Sequence, residues 1–168
     1  RQATSVTPPA YDKDVPAVVL YREEVVSLGS DGQMTVTDRY AVRILTREGR
    51  REAAAAAPYI MNFSKVSDVQ AWLVAPGGKV TSYGKKETVD QIANTNDVYN
   101  ESRLKVINAS DLADIGYVFG YSFTTELTPR FFQDQWIFQD RLPTLVSRYT
   151  LSLPDGWSAG SKTFNHAD

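Results

Sequence analysis

Apolar and polar side chains alternate along much of this chain, and the alternation predicts β-strands. From Met34 to Ile44 the apolar phase alternates with a polar one and is interrupted only by Asp38, as in a strand with one buried face. A run over 18–28 that also predicts a long strand precedes it and is joined to it by Ser30-Asp31-Gly32, where the glycine can take the positive φ of a tight turn. The two runs therefore predict a long hairpin.

Further strands are predicted along the rest of the chain. The segments 66–75 and 79–83 flank Pro76-Gly77-Gly78 and predict a second hairpin. Five alanines over 53–57 stop at Pro58 and are too few to hold a helix alone, so we expect an extended segment there. Strands are also predicted over 103–107, 115–127, 131–139 and 144–153, whereas the polar stretch 88–99 reads as a surface loop.

Many strands with frequent turn signals indicate an all-β fold, a two-sheet antiparallel β-sandwich with long hairpins and little helix. We expect residues 1–16 to form an N-terminal arm and 17–157 the sandwich domain. Residues 158–168 are interpreted as the start of a linker or of a next element that is cut short. No apolar run approaches the roughly 20 residues that span a bilayer, so no membrane span is predicted.

Composition and charge narrow the chemistry. The 168 residues carry a formal net charge of -2, no cysteine and one histidine. Without a strong basic field, nucleic acid is a poor candidate for a partner. Disulfides, thiolate metal sites and a cysteine nucleophile are excluded within this segment, and His166 lies in the tail. We therefore predict no catalytic residue, no cofactor and no metal ligand in the segment.

Three carboxylates stand out because each interrupts an apolar phase: Glu24, Asp38 and Asp134. A carboxylate-based hydrolase would need two acidic side chains about 5 to 10 Å apart in a cleft. The spacing of the three along the sequence pairs no two of them. We interpret each as a bulge, a strand end or a paired edge charge, and we rank the hydrolase hypothesis last.

The polar stretch raises the separate question of calcium. Its oxygen-bearing side chains are Asp90, Asn94, Asn96 and Asp97, and oxygen ligands are those that calcium prefers. Their spacing does not follow the EF-hand pattern, and a solvated loop is the simpler interpretation. Whether the acidic loop from Asp90 to Asp97 binds calcium stays open at this point.

Aromatic side chains offer a possible ligand surface formed by Trp72, Tyr83 and Tyr99, on which a sugar ring could stack. Both phases of the strand around Trp72 are apolar, however, and such a strand is more simply covered on both faces. Trp136 shares its phase with Phe132 and Phe138, so we assign it to the core.

The order of several motifs resembles a known family, the bacterial domain of unknown function 3857. A hairpin with an Asp-Gly turn leads to Arg43-Ile44-Leu45 and Gly49, and Pro76-Gly77-Gly78 forms a later turn. A Trp-x-Phe-Gln…Pro segment follows at Trp136, Phe138, Gln139 and Pro143. Asp114-Ile115-Gly116-Tyr117 only approximates the Gly-Asp-x-Ile-x-Tyr pattern expected there. The resemblance covers about residues 15–157.

The resemblance implies a β-sandwich on the N-terminal side of a transglutaminase-like domain in an exported bacterial protein. The Cys, His and Asp of such proteins belong to that downstream domain, and none maps onto this segment. Localisation is then periplasmic, outer-surface or secreted.

Our leading hypothesis is a non-catalytic accessory or interaction domain that positions the downstream domain or binds its protein or cell-wall substrate. The alternative is a carbohydrate-binding sandwich module.

Overall fold

The structure is a computed structural model that describes residues 9–12, 14–94, 101–129 and 133–164. These residues contain nine β-strands. They are β1 (Ala17–Leu28), β2 (Met34–Ile44), β3 (Ala54–Ile60), β4 (Ser64–Val74), β5 (Val80–Tyr83), β6 (Val89–Ile92), β7 (Ser102–Asn108), β8 (Val118–Leu127) and β9 (Ser147–Ser152). A short 3₁₀ helix spans Glu48–Glu52. No helix in this described part is long and apolar enough to cross a bilayer.

The strands form two sheets, and the predicted sandwich class is confirmed. The larger sheet has the order β5-β4-β8-β2-β1-β9 and the smaller one the order β3-β7-β6. Neighbouring strands are antiparallel except β9, which runs parallel to β1 at the edge of the larger sheet. The parallel edge strand was not predicted, because alternation along one strand carries no information about the direction of its neighbour.

The β1–β2 hairpin sets the register of the larger sheet. Gly32 turns it with a φ of 80°, as its position after Asp31 predicts. Between Val19 and Tyr21 the register shifts by one residue, as at a β-bulge, which brings an extra residue into one strand. Because a one-residue shift exchanges the two faces of a strand, even-numbered residues of β1 beyond the bulge share the inner face with Val19.

The core lies between the two sheets. Phe119 of β8 and Ile107 of β7 are fully buried there, and the alanine run supplies Ala55 and Ala57. Ala54 and Ala56 alternate with them on the exposed side. The extended conformation expected for the alanines is thereby confirmed, because their burial has the period of a strand and not that of a helix.

Two predicted elements differ from the structure. The expected strand over 131–139 is absent from its described residues 133–139, and Phe138 is 54% exposed. This segment crosses the face of the larger sheet, and Trp136 is half-buried against Tyr149 instead of lying in the core. Conversely, β6 lies within the stretch expected to be a loop. It is an edge strand exposed along its whole length, so it shows no apolar alternation.

Candidate functional site

A polar cluster lies on the inner face of the larger sheet, close to its β9 edge. Glu24 of β1 lies directly opposite Asp38 of β2, and on its other side it pairs with Tyr149 of β9. Directly paired residues project to the same face of a sheet. Asp134, from the segment that crosses this face, accepts a 3.0 Å hydrogen bond from the Tyr149 hydroxyl. The structure thus brings together three carboxylates that the sequence had presented separately.

The proximity of these carboxylates changes their protonation. Desolvation, followed by the charges of Asp38 and Asp134, raises the pKa of Glu24 to about 7. Desolvation also raises the pKa of Asp38 to about 6, with a further increase from Asp134 and an opposing effect from Arg22. Two like charges that face each other favour retention of a proton on one of them. The cluster therefore exchanges a proton close to neutral pH.

The charge of Arg22 acts on both Glu24 and Asp38. Arg22 also contacts the segment that crosses this face, of which residues 133–144 are described and which is called the covering segment below. Its guanidinium carbon lies 4.4 Å from the centre of the Trp136 ring, within the range of a cation–π interaction. Its Nη1 also donates to the carbonyl oxygen of Ile137 at 3.4 Å. The Trp136 indole N–H donates to Ser147 Oγ at 3.1 Å. These contacts attach the covering segment to β1 and β9.

The neighbouring residue Glu23 lies on the outer face, where its carboxylate is paired with two arginines. Its carboxylate accepts from Arg39 at 2.6 Å and from Arg148 at 3.4 Å. Burial pushes the pKa of Glu23 upward, but the bonds from Arg39 and Tyr21 and the two arginine charges leave it below its ordinary value. Glu23 is thus balanced by arginine, whereas Glu24 faces another acid.

Asp134 of this cluster is exposed, whereas Glu24 and Asp38 are half-buried. Among the described residues, no group of three or more acidic, histidine or cysteine side chains is arranged to hold a metal ion. The adjacent groove is lined by Arg22 and Tyr40 but by none of the three carboxylates.

That groove, with a volume of about 320 Å³, lies between the smaller sheet and the covering segment. Val19, Arg22, Tyr40 and Tyr121 form its floor, all from the inner face of the larger sheet. Ala54 and Ala56 of β3 form one wall, and residues 140–142 with Thr144 form the other. Arg51 and Glu52 also line it, and Glu52 pairs with Arg141 at 2.8 Å.

The predicted aromatic ligand surface is not assembled in the described residues. Tyr83 pairs with Ala71, which faces the core, whereas the next residue of β4, Trp72, projects to the outer face. The Tyr83 hydroxyl is buried and has no hydrogen-bond partner among the residues that the structure describes. Tyr99 lies outside the described residues, as does His166. Trp72 and Tyr83 therefore cannot stack on one flat ligand.

The first of the candidate calcium ligands already has partners. Asp90 accepts a hydrogen bond from Arg103 Nε at 2.8 Å and another from the Tyr59 hydroxyl at 2.6 Å. The Tyr59 bond, then the Arg103 bond, lower the pKa of Asp90. It lies on β6, not in a loop, and Asn96 and Asp97 are outside the described residues. Calcium binding by this stretch stays a hypothesis that these contacts do not favour.

Sequence comparison identifies one matching family. The family model DUF3857, described as a domain of unknown function with a solved structure, matches residues 30–168. No curated protein matches the chain in sequence.

The fold itself is found in solved structures, of which 18 chains match. One is the crystal structure of a protein from Parabacteroides distasonis ATCC 8503 that is provisionally described as a protease. It superposes with a TM-score of 0.68 at 14% identity, over 84% of this chain. Similarity at that identity shows a shared fold alone. The chain spans only 29% of the length of that protein.

Proposed function

The chain belongs to the DUF3857 family of domains of unknown function, and on that premise we propose that it is a non-catalytic accessory domain of an exported bacterial protein. In this role it positions a transglutaminase-like domain that follows it in the same polypeptide, or binds that domain's protein or cell-wall substrate.

The proposal rests mainly on the relation to the longer Parabacteroides protein. The fold of this chain corresponds there to 29% of a polypeptide provisionally described as a protease. A domain of that relative size leaves ample chain for a separate catalytic domain, since domains typically contain 50–250 residues. An accessory role beside such a domain is therefore the simplest use of this fold.

The chemistry of the site supports the same proposal. The sequence has no cysteine, so the thiol nucleophile of a transglutaminase-like reaction would have to come from another part of the polypeptide. The carboxylates with raised pKa values lie beside the groove and do not line it. A substrate in the groove would therefore meet arginine and tyrosine side chains and the two acids Glu52 and Asp140, of which Glu52 is already paired with Arg51 and Arg141.

An activity assay on three proteins tests the proposal: the isolated domain, its complete natural polypeptide, and that polypeptide without residues 17–157. We expect no release of fluorescent peptides from labelled casein, and no amine incorporation into it, by the isolated domain. Removal of the domain should lower the activity of the complete protein. Turnover by the isolated domain that is lost in Asp38→Asn would contradict the proposal.

The carbohydrate-binding alternative has less support. Stacking on a sugar generally uses aromatic rings that share an exposed surface, and Trp72 and Tyr83 lie on opposite faces of the larger sheet. We therefore retain the accessory role as the single proposed function.

A further inference from the structure

The free edge of β3 forms one wall of the groove and has hydrogen-bonding groups available. The N–H of Ala109 donates to Ala53 O at 2.9 Å, and that of Met61 donates to Glu101 O at 3.0 Å. The main-chain N–H and C=O groups of odd-numbered β3 residues therefore point toward β7. In an antiparallel pair the groups of alternate residues point away from the partner strand. The N–H and C=O groups of Ala54 and Ala56 therefore point away from β7.

Two further residues of β3 confirm that the main-chain groups of its even-numbered residues point away from β7. The N–H of Ile60 donates to Ser64 Oγ at 2.9 Å and not to β7. Pro58, which has no N–H, occupies an even-numbered position, where its missing donor leaves the ladder with β7 intact. Within the described residues β3 has β7 as its only strand neighbour. Among the described residues, Ala54 and Ala56 thus carry the main-chain N–H groups of this edge that point away from β7 and have no partner strand.

The groove provides a volume of about 320 Å³ beside the edge of β3. The alanine side chains of β3 leave the approach to its edge unobstructed, whereas edges are commonly protected by charged residues or bulges. The covering segment closes the far side at residues 140–142 and Thr144. A further strand would lie about 4.8 Å from β3, above the floor formed by the larger sheet.

From this geometry we propose that the groove binds an extended peptide segment that adds to the edge of β3 and directs a carboxylate side chain at Arg22. Main-chain hydrogen bonds to Ala54 and Ala56 provide the binding, as in other cases of strand addition. The proposal deepens the accessory role by assigning a site and a ligand class, and it rests on that role.

The charges of the groove favour an acidic segment. Its lining includes three arginines, Arg22, Arg51 and Arg141, and two acids. Glu52 already pairs with both Arg51 and Arg141. Arg22 lies in the floor, where alternate side chains of an added strand would point. Glu24 and Asp38 also act on Arg22, but their raised pKa values leave them partly protonated near neutral pH, so they balance its charge only in part. A carboxylate at such a position can therefore pair with the guanidinium, whereas a lysine would meet its positive charge.

The uncharged Val19 and the rings of Tyr40 and Tyr121 form the rest of the floor. The two rings stack with their centres 5.2 Å apart. An apolar side chain two residues from the acidic one would lie against them, because every second side chain of a strand faces the same way. An alternating sequence with one valine and one glutamate on the floor side is the corresponding ligand.

The test uses the isolated domain and the probe acetyl-Ala-Val-Ala-Glu-Ala-amide with a fluorescent label, titrated by fluorescence anisotropy. We expect saturable binding with a dissociation constant on the order of 0.1–1 mM. A probe with lysine in place of glutamate should bind about tenfold more weakly, and Arg22→Gln should abolish that difference. Absence of saturation, or equal binding of the two probes by the unmodified domain, would overturn the proposal.

A proline variant tests the main-chain contacts. Ala56→Pro removes an N–H that points into the groove, so binding should weaken about tenfold, while the ladder with β7 is kept. Ile92→Pro is the matched control on the opposite edge strand, and it should bind like the unmodified domain. Thermal unfolding checks that both variants fold. Unchanged binding by a folded Ala56→Pro, or equal weakening in Ile92→Pro, would refute strand addition.

Sedimentation at the same protein concentrations distinguishes a second copy of the chain as the occupant. We expect a monomer, and a dimer that the probe does not dissociate would contradict the proposal. Failure of the peptide titration alone would leave the accessory role standing, because that role is tested by the activity of the complete polypeptide.

Discussion

Glu24 and Asp38 lie directly opposite each other on β1 and β2, so that two acids occupy a position where sheets usually pair compatible side chains. Like charges in such a pair are destabilising. Desolvation raises the pKa of both groups, and the charge of Asp38 adds to the rise at Glu24. The pair makes the sheet sensitive to pH in a range where ordinary carboxylates have finished titrating.

Glu24→Gln should change stability in a pH-dependent way. Because its folded pKa of about 7 exceeds the ordinary value of 4.5, the native state binds more protons than the unfolded state between these values. Stability of the unmodified protein therefore falls as pH rises through this window. We expect the variant to be more stable at pH 8 by about 1–2 kcal/mol, allowing for solvent screening, and nearly equal at pH 4.

Urea unfolding at the two pH values measures this difference. A stability difference that stays the same at pH 4 and pH 8 would show that Glu24 does not titrate near neutrality.

Glu23→Gln is predicted to lower the stability of the protein, in contrast to Glu24→Gln. Its pKa is lowered in the folded state, so its contribution is present above the unfolded pKa and is lost as pH falls through the folded one. The variant leaves Arg39 and Arg148 without their shared carboxylate and should lose about 1–2 kcal/mol at pH 7. Chemical denaturation at pH 7 and pH 3 checks this, and a loss that persists at pH 3 would contradict it.

Trp136→Leu should lower the pKa of the Glu24 carboxyl toward its ordinary value. The indole covers Arg22 and packs on Tyr149, so its removal admits water to the cluster and reduces the desolvation that dominates the shift. We expect a lower Glu24 pKa in carbon-detected NMR titrations of the side-chain carboxyl groups. Trp72→Leu, on the outer face, is the control and should leave that pKa unchanged. A shift of equal size in both variants would argue against a covering role.

Gly49→Ala should be strongly destabilising for a steric reason. An added Cβ at Gly49 would lie 2.0 Å from the carbonyl oxygen of Pro16, which belongs to the backbone and cannot rotate away. We expect a loss of about 2–3 kcal/mol in denaturant unfolding. Gly77→Ala places its Cβ in open space and should remain within about 0.5 kcal/mol of the unmodified protein. Similar losses at both positions would refute the steric explanation.

The hairpins were predictable because their strands carry period-two alternation and their turns carry glycine. The same hairpin contained the signal that pairs the acids, since Glu24 and Asp38 are each seven residues from Asp31 in the turn. The two acids are far apart along the sequence, but residues at equal distances from the turn of a hairpin lie opposite each other. The bulge near Val19 lies beyond these residues as counted from the turn and leaves their pairing intact.

Other features could not be predicted from local patterns. The approach of Asp134 depends on the path of a segment without regular structure, and that of Tyr149 depends on the parallel pairing of β9. The aromatic alternation around Trp136 predicted a strand, but in the described residues Trp136 packs against Tyr149 while Phe138 is 54% exposed. The groove depends on how far the smaller sheet extends over the larger one, which is a property of tertiary packing.

The central proposal, that this domain positions a transglutaminase-like domain of the same polypeptide, is tested most directly by titration calorimetry of the isolated domain with that proposed domain expressed separately. We predict saturable heat of binding with a dissociation constant below about 0.1 mM. An absence of binding heat at that concentration, measured with both partners folded, would contradict the claim.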